Sequence, residues 1–342
     1  MRDIDVSTVA GSPTCVRRRG RSVNGRALAV LASLLLGACQ GATEEPAPGD
    51  VGREDPNVPG AVLGWRRTGG SSGSRGGAAG GGHGGAGGGA AGAAGGAAGS
   101  AGGQAGAGAY WIPSPGMSWQ WQLTGTIDQS VDAQMFDVDL FDTPAATVSS
   151  LHAAGRRVVC YVSAGTFENW RPDASQFPAA VKGSTVDGFQ DERWLDIRQW
   201  SALQPILEAR MDLCVSKGFD AIELDNVDGY ANRSGFPLTA ADQLTFNRNL
   251  ASSAHARHLS VALKNDIDQV ANLVGQFDWA LNEQCFEYGE CSALQPFVQA
   301  HKAVFNVEYN LATSSFCPQA KSLGFSSMRK HLSLDAYRVP CP

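Results

Sequence analysis

The sequence predicts an α/β chain whose folded part is a (β/α)8 TIM barrel, and three observations carry that prediction. Eight short β-rich runs follow one another between Trp119 and His331. Amphipathic segments that end in glycine or a basic residue separate most of them. No phosphate-binding glycine loop follows the first run, which disfavours the alternative, a doubly wound open sheet. Eight strands with helical crossovers in roughly 230 residues is the arithmetic of a closed barrel.

The first run, WQWQLTG (119–125), starts at the end of the barrel opposite the mouth, so Trp119 and Trp121 are expected to pack in the core. TIDQSVDAQM is too short for a full helix and leads to FDVDLFD (136–142). ATVSSLHAAGR then crosses over to RVVCYVSAG (157–165), after which Thr166 to about Gln199 forms a long insertion. LQPILEARMDLCVSKG precedes AIELDN (221–226), and ADQLTFNRNLASSAHARH precedes SVALKN (260–265). The last three strands are WALNEQC (279–285), AVFNVEY (303–309), reached through QPFVQAHK, and GFSSMRKH (324–331).

Upstream, composition takes about a third of the chain out of any core. The 42 glycines concentrate before residue 110, where almost no large apolar side chain offsets the entropy of ordering, so residues 40–109 read as a disordered Gly/Ala-rich linker. Glycine does not recur at every third position, which excludes collagen. At the N-terminus, Arg17, Arg18, Arg19 and Arg21 precede ALAVLASLLLGA and Cys39, the pattern of an export signal over residues 1–39. Leu36-Gly37-Ala38-Cys39 resembles the bacterial lipobox, which implies cleavage before Cys39, lipidation of that residue and attachment to a bacterial membrane through the lipid alone, facing the periplasm or the cell exterior. An ordinary secretion signal is the alternative. Export in turn permits disulfides. Cys285 with Cys291 closes a short loop and Cys317 with Cys341 pins the C-terminal tail, whereas Cys160 and Cys214 stay open between a bridge and two buried thiols.

Residues 110–342 hold 26 Asp and Glu against 17 Lys and Arg, a net charge near −9, so nucleic acid is not an expected partner. An acidic cleft suits a cationic polymer. No Cys/His spacing matches a zinc site, no stretch has EF-hand spacing, and neither a metal nor a cofactor is implied; the domain is expected to act as a monomer.

The active site of such a barrel lies at the C-terminal ends of its strands. Alternation turns Ile222 and Leu224 toward the helices, so Glu223 and Asp225 point inward with Asp225 at the mouth, and Glu283 stands at the equivalent end two strands later. Strands two apart bring inward carboxyl groups within about 5 to 9 Å, the window of paired glycosidase carboxylates.

WQWQLTG with the following ID, VVCYVSAGTFENWRPD, ERWLDIR, GFDAIELDNVDGY, LKND and LNEQCF together resemble glycoside hydrolase family 114, the endo-α-1,4-polygalactosaminidases. The resemblance runs in order through nearly all of 110–342. It implies an exported (β/α)8 enzyme that cuts α-1,4-linked galactosamine-rich exopolysaccharide of the kind found in biofilms. The family's proposed catalytic carboxylates fall on Asp225 and Glu283. Asp225 is expected to be the nucleophile and Glu283 the general acid/base of a retaining mechanism, with the two roles interchangeable and inversion the alternative. Around them, Glu223 is expected to pair with Lys264, and Asn226 and Asn265 to orient the acids. Asp228 is expected to meet a sugar amine or cap its loop, and Tyr161, Trp170, Trp194, Tyr230 and Tyr309 to form subsite walls. Asp142 and Asp196 would add charge at the mouth, and Lys264 completes the set expected to line the substrate. Two rival functions stand beside this one: a surface lipoprotein that binds polysaccharide without cutting it, and a glycosidase for another α-linked glycan.

Overall fold

The computed structural model describes residues 110–342; the expected signal at 1–39, Cys39 and the linker at 40–109 lie outside the described residues. Among the described residues no helix is long and apolar enough to cross a membrane.

The chain begins with β1 (Trp119–Gln122) and reaches β2 (Met135–Asp139) without an intervening helix. Helix α1 (Ala145–Ala153) leads to β3 (Arg157–Ser163). The insertion follows as β4 (Thr166–Glu168), β5 (Lys182–Val186) and β6 (Phe189–Leu195), an antiparallel sheet in the order β4-β6-β5. Then come α2 (Trp200–Lys217), β7 (Ala221–Asp225), α3 (Ala240–His255), β8 (Ser260–Lys264) and the single turn α4 (Val270–Leu273). The chain continues through β9 (Trp279–Glu283), α5 (Cys285–Tyr288), α6 (Gln295–Gln299), β10 (Val304–Glu308), α7 (Thr313–Leu323), β11 (Ser326–Arg329) and β12 (Val339–Pro340).

Eight strands pair in parallel in the order β1-β2-β3-β7-β8-β9-β10-β11, and β12 adds to β11 antiparallel. These eight are the runs expected from the sequence, curled into the (β/α)8 arrangement. Each run reads longer in sequence than in structure at its C-terminal end, because those residues leave the ladder to build the mouth. Asn226, Asn265 and Gln284, immediately after β7, β8 and β9, take left-handed backbone at φ 63°, 48° and 61°. Asparagine tolerates that region better than most residues; three successive strand ends there mark a locally strained rim.

Helices form where the sequence supplies both a stripe and a stop. α2 buries Leu203, Ile206, Leu207, Arg210, Met211 and Cys214, an i, i+3, i+4, i+7 stripe, and ends at Gly218 with φ 90°. α3 starts in a capping box: Thr239 Oγ1 accepts from the Asp242 N–H, and Asp242 Oδ2 accepts from the Thr239 N–H.

Two apolar cores result. Outside the sheet, Phe136, Val138, Val158, Cys160, Ile222, Leu224, Val261 and Leu263 pack under the helices. Inside it, Trp119, Trp121, Met135, Val159, Ala221, Trp279, Leu281, Phe305 and Met328 fill the lower barrel. Large rings below leave the polar inward positions for the upper layers. Disulfides join Cys160 to Cys214, Cys285 to Cys291 and Cys317 to Cys341, so the pair left open in the sequence is a bridge, tying β3 to α2.

Among the described residues the seam between β11 and β1 is closed by side chains and the tail rather than by a strand-to-strand ladder. Trp119 Nε1 donates to the Ser326 carbonyl at 3.0 Å, Lys330 Nζ to Gln120 Oε1 at 3.2 Å, and Gln120 Nε2 to the Ala336 carbonyl at 2.9 Å. The backbone N–H groups of Leu123 and Thr124 reach the Leu334 carbonyl.

Candidate active site

Alternation along β7 places Glu223 and Asp225 on the inner face, opposite Ile222 and Leu224 in the outer core. β8 contributes Lys264 and β9 contributes Glu283. The ammonium of Lys264 lies 3.0 Å from Asp225 Oδ1 and 3.3 Å from Glu283 Oε2. These two distances cap the separation of those oxygens at their sum, which falls short of the roughly 6.5 Å at which the inverting spacing begins.

Each acid is fixed on several sides. Asp225 Oδ2 accepts from the Tyr161 hydroxyl at 2.8 Å, and Oδ1 also accepts from the Asn226 N–H at 2.7 Å. Glu283 Oε1 accepts from the Tyr309 hydroxyl, and Oε2 accepts from Asn265 Nδ2 at 3.2 Å. Burial, then the charge of Asp225 for Tyr161 and of Glu283 for Tyr309, holds both phenols well above their usual pKa, so both stay donors. Asn226 is itself anchored, donating to Ser163 Oγ and Thr166 Oγ1, where β3 meets the insertion. The approach is close enough that a Cβ on Gly165 would fall 1.7 Å from the Asn226 carbonyl oxygen, so only glycine serves there.

Neither carboxylate is open to solvent: Asp225 is 0% and Glu283 3% exposed.

A second shell of acids surrounds this pair. Burial and the charge of Asp225 raise Asp228 to about 7, and its Oδ1 accepts from Asn232 Nδ2 at 3.3 Å, which caps its own loop. Asp266, just after Asn265, is raised to about 9 by burial and by Asp228, and accepts from Asn247 at 2.9 Å. Tyr230 sits half-buried beside this group and donates to Asp266. Among the described residues no group of three or more His, Cys, Asp or Glu side chains is disposed to hold a metal ion.

Four of the expected substrate-lining residues are engaged as follows. Lys264 is held among carboxylates: its ammonium donates to Glu223 Oε1 at 2.9 Å and to Asp225 Oδ1 at 3.0 Å and lies 3.3 Å from Glu283 Oε2. Trp194 offers no face to a sugar, being 2% exposed with its ring against Gly229 in the insertion's own core with Val186 and Phe189. Asp196 is spent on Arg198, with bonds at 2.7 and 2.9 Å, and on Gln199 at the start of α2. Asp142 is solvent-exposed, its side chain at 74%, and lies 3.7 Å from Arg171. Trp170, at 36%, is the one expected wall residue with a substantially exposed ring, next to Arg171.

The sequence reading missed the polar groups beneath and beside the pair. Asp137 lies inside the barrel, fully buried; the alternation that selected Glu223 and Asp225 selects it as well, from FDVDLFD. Arg171 and Arg210, which clamp Asp139, Glu168 and Asp173 between β2, the insertion and α2, had no such signal.

The sequence profile of glycoside hydrolase family GH114 matches residues 100–342. The chain belongs to this family. It is a GH114 glycoside hydrolase. Aspergillus fumigatus Ega3, solved in complex with galactosamine, is 38% identical, and the match covers 68% of this chain and 98% of Ega3 with a TM-score of 0.65. The glycoside hydrolase domain of Pseudomonas aeruginosa PelA is 15% identical over 65% of this chain and 97% of that domain, with a TM-score of 0.53, a likeness of fold. An uncharacterized protein of Deinococcus radiodurans is 25% identical over 224 residues, 56% of this chain and 71% of that protein.

Proposed function

We propose that this GH114 enzyme is an exported endo-glycosidase that hydrolyses α-1,4-linked, galactosamine-rich polysaccharide by a retaining mechanism. Asp225 is the nucleophile and Glu283 the general acid/base. The observation that carries the reading is the single Lys264 ammonium 3.0 Å from Asp225 Oδ1 and 3.3 Å from Glu283 Oε2, which holds those two oxygens closer than the inverting spacing requires. The 38% identity with Ega3, crystallised with galactosamine, supports an amino sugar as the unit recognised.

Asp225, with a donor on each oxygen, is oriented for in-line attack. Glu283, steered by Tyr309 and Asn265, delivers a proton to the leaving oxygen and later takes one from water. Asp228, Asp266 and Tyr230 receive the neighbouring amino sugar, with Trp170 as a stacking face further out. Three disulfides fit an oxidising compartment, in keeping with export and with lipid attachment at Cys39.

Incubating the purified protein with partly deacetylated α-1,4-galactosaminan tests the proposal. New reducing ends are expected with the wild type and none with Asp225→Asn, and the first-formed products are α-anomers by NMR. Polymer retained without new ends selects a binding protein, and faster cutting of starch or neutral galactan selects another glycan.

A further inference from the structure

The Lys264 ammonium donates to Glu223 Oε1 at 2.9 Å and to Asp225 Oδ1 at 3.0 Å and lies 3.3 Å from Glu283 Oε2, while the cation lies 4.6 Å from the centre of the Trp121 ring. The side chain is 1% exposed, so bulk solvent does little to screen its charge. We infer that Lys264 is the positioning residue that keeps the site electrically balanced while negative charge passes from Asp225 to Glu283 and back. The inference rests on the two-carboxylate mechanism proposed above.

In the first step an Asp225 oxygen bonds to the anomeric carbon and the glycosidic C–O bond breaks. Its electron pair goes to the leaving oxygen, which takes the proton of Glu283. Asp225 loses its charge as Glu283 gains one. In the second step water attacks the anomeric carbon and gives its proton to Glu283, and the ester electron pair returns to Asp225. A cation nearly equidistant from the two groups stabilises either distribution without moving, in surroundings where relocating a countercharge costs most.

Glu223 changes charge in neither step and makes the shortest contact, so it anchors the ammonium. Asp137 supports Glu223 from below. No N–H or hydroxyl bonds to either oxygen of Asp137, and burial together with the Glu223 charge drives its carboxyl well above the usual range. As the neutral acid it donates to Glu223. The groups facing Lys264 are therefore Glu223 and Asp225 from β7, Glu283 from β9, Asp137 from β2, and the hydroxyls of Tyr161 and Tyr309 behind the acids.

Lys264→Met removes the charge at similar volume. Both limbs of the kcat/KM profile are expected to move to higher pH by about one to three units, because both acids lose an opposite charge at contact. kcat is expected to fall at least about tenfold with KM little changed, the mark of an interaction made in the transition state. A folded variant whose limbs stay at the wild-type positions overturns the inference. Asp225→Asn and Glu283→Gln run alongside: if either retains wild-type activity, the two-carboxylate mechanism itself falls, whatever Lys264 does.

The wild type supplies a measurement that needs no variant. Trapping it with a 5-fluoro-galactosaminyl fluoride gives an adduct detectable by mass, and the 15N resonance of the Lys264 ammonium is expected to shift as Asp225 becomes an ester. An adduct without that shift overturns the role of Lys264, and no adduct overturns the covalent mechanism.

Discussion

Asn265 grips Glu283 at two points: its Nδ2 lies 3.2 Å from the carboxylate, and its Oδ1 accepts the Glu283 backbone N–H at 2.9 Å. Side chain and main chain of the acid are thereby set by one residue on the neighbouring strand end. Asn265→Ala is expected to lower kcat by about 10- to 100-fold with little change in KM, since proximity effects of this kind are lost when a reacting group wanders by an ångström. Steady-state kinetics on a defined galactosamine oligomer checks it. The left-handed backbone at this position adds a stability loss of about 1 kcal/mol for alanine, read from urea unfolding.

Arg171 ties the insertion to the barrel. Its Nη1 and Nη2 bond both oxygens of Asp139 at 2.9 and 2.6 Å, and its Nε bonds Glu168 at 2.8 Å, all nearly buried. Removing one partner of such a cluster strands the others without compensation. Arg171→Met is expected to cost about 3 to 5 kcal/mol and to make residues 166–199 the first site of limited proteolysis. Equal protease resistance in the variant refutes this.

Stability is expected to decline from mildly acidic to alkaline pH. Burial, then the Glu168 charge, raises Glu192 to about 8, and burial, then Asp228, raises Asp266 to about 9. Each binds a proton in the folded state that it has lost in the unfolded state between its ordinary value near 4 and its raised one. The folded state thus binds more protons across that window, and stability falls as pH rises through it. Lys330, lowered to about 7 by burial, acts in the opposite sense above that pH. A loss of at least about 1 kcal/mol from pH 5 to 8 is expected, and Glu192→Gln or Asp266→Asn should flatten the slope in chemical unfolding.

The Cys160–Cys214 bridge spans 54 residues of sequence and encloses the whole insertion. Replacing both cysteines by serine is expected to cost about 4 kcal/mol by loop entropy. Cys285–Cys291 spans only 6 residues, yet it begins two positions after Glu283. Its loss should therefore lower kcat more than melting temperature, which thermal scans and kinetics on the two double variants separate.

The barrel and the inward placement of Asp225 and Glu283 were legible because both follow from local rules. Period-two alternation in AIELDN and WALNEQC fixes which residues face inward, and strand direction fixes which end is the mouth. Glu223 with Lys264 was legible as a pair, but the reach of that ammonium to Asp225 and Glu283 was not, because it depends on the stagger between strands. The insertion defeated the same reasoning. Trp194 and Asp196 lie on or beside β6, whose fold is set by contacts with β4, β5 and α2 rather than by a barrel repeat. Asp137 and Asp139 were omissions that alternation itself had supplied.

The tail that fills the seam has a consequence for how the molecule is made. Leu334, Asp335 and Ala336 supply the carbonyls that receive β1 and Lys330, β12 covers the edge of β11, and Cys341 is tied to Cys317. The first stave therefore gains its second neighbour only when a segment 216 residues further along the chain is in place. An emerging chain can build the middle of the sheet, but the cylinder closes only after that distant segment has docked.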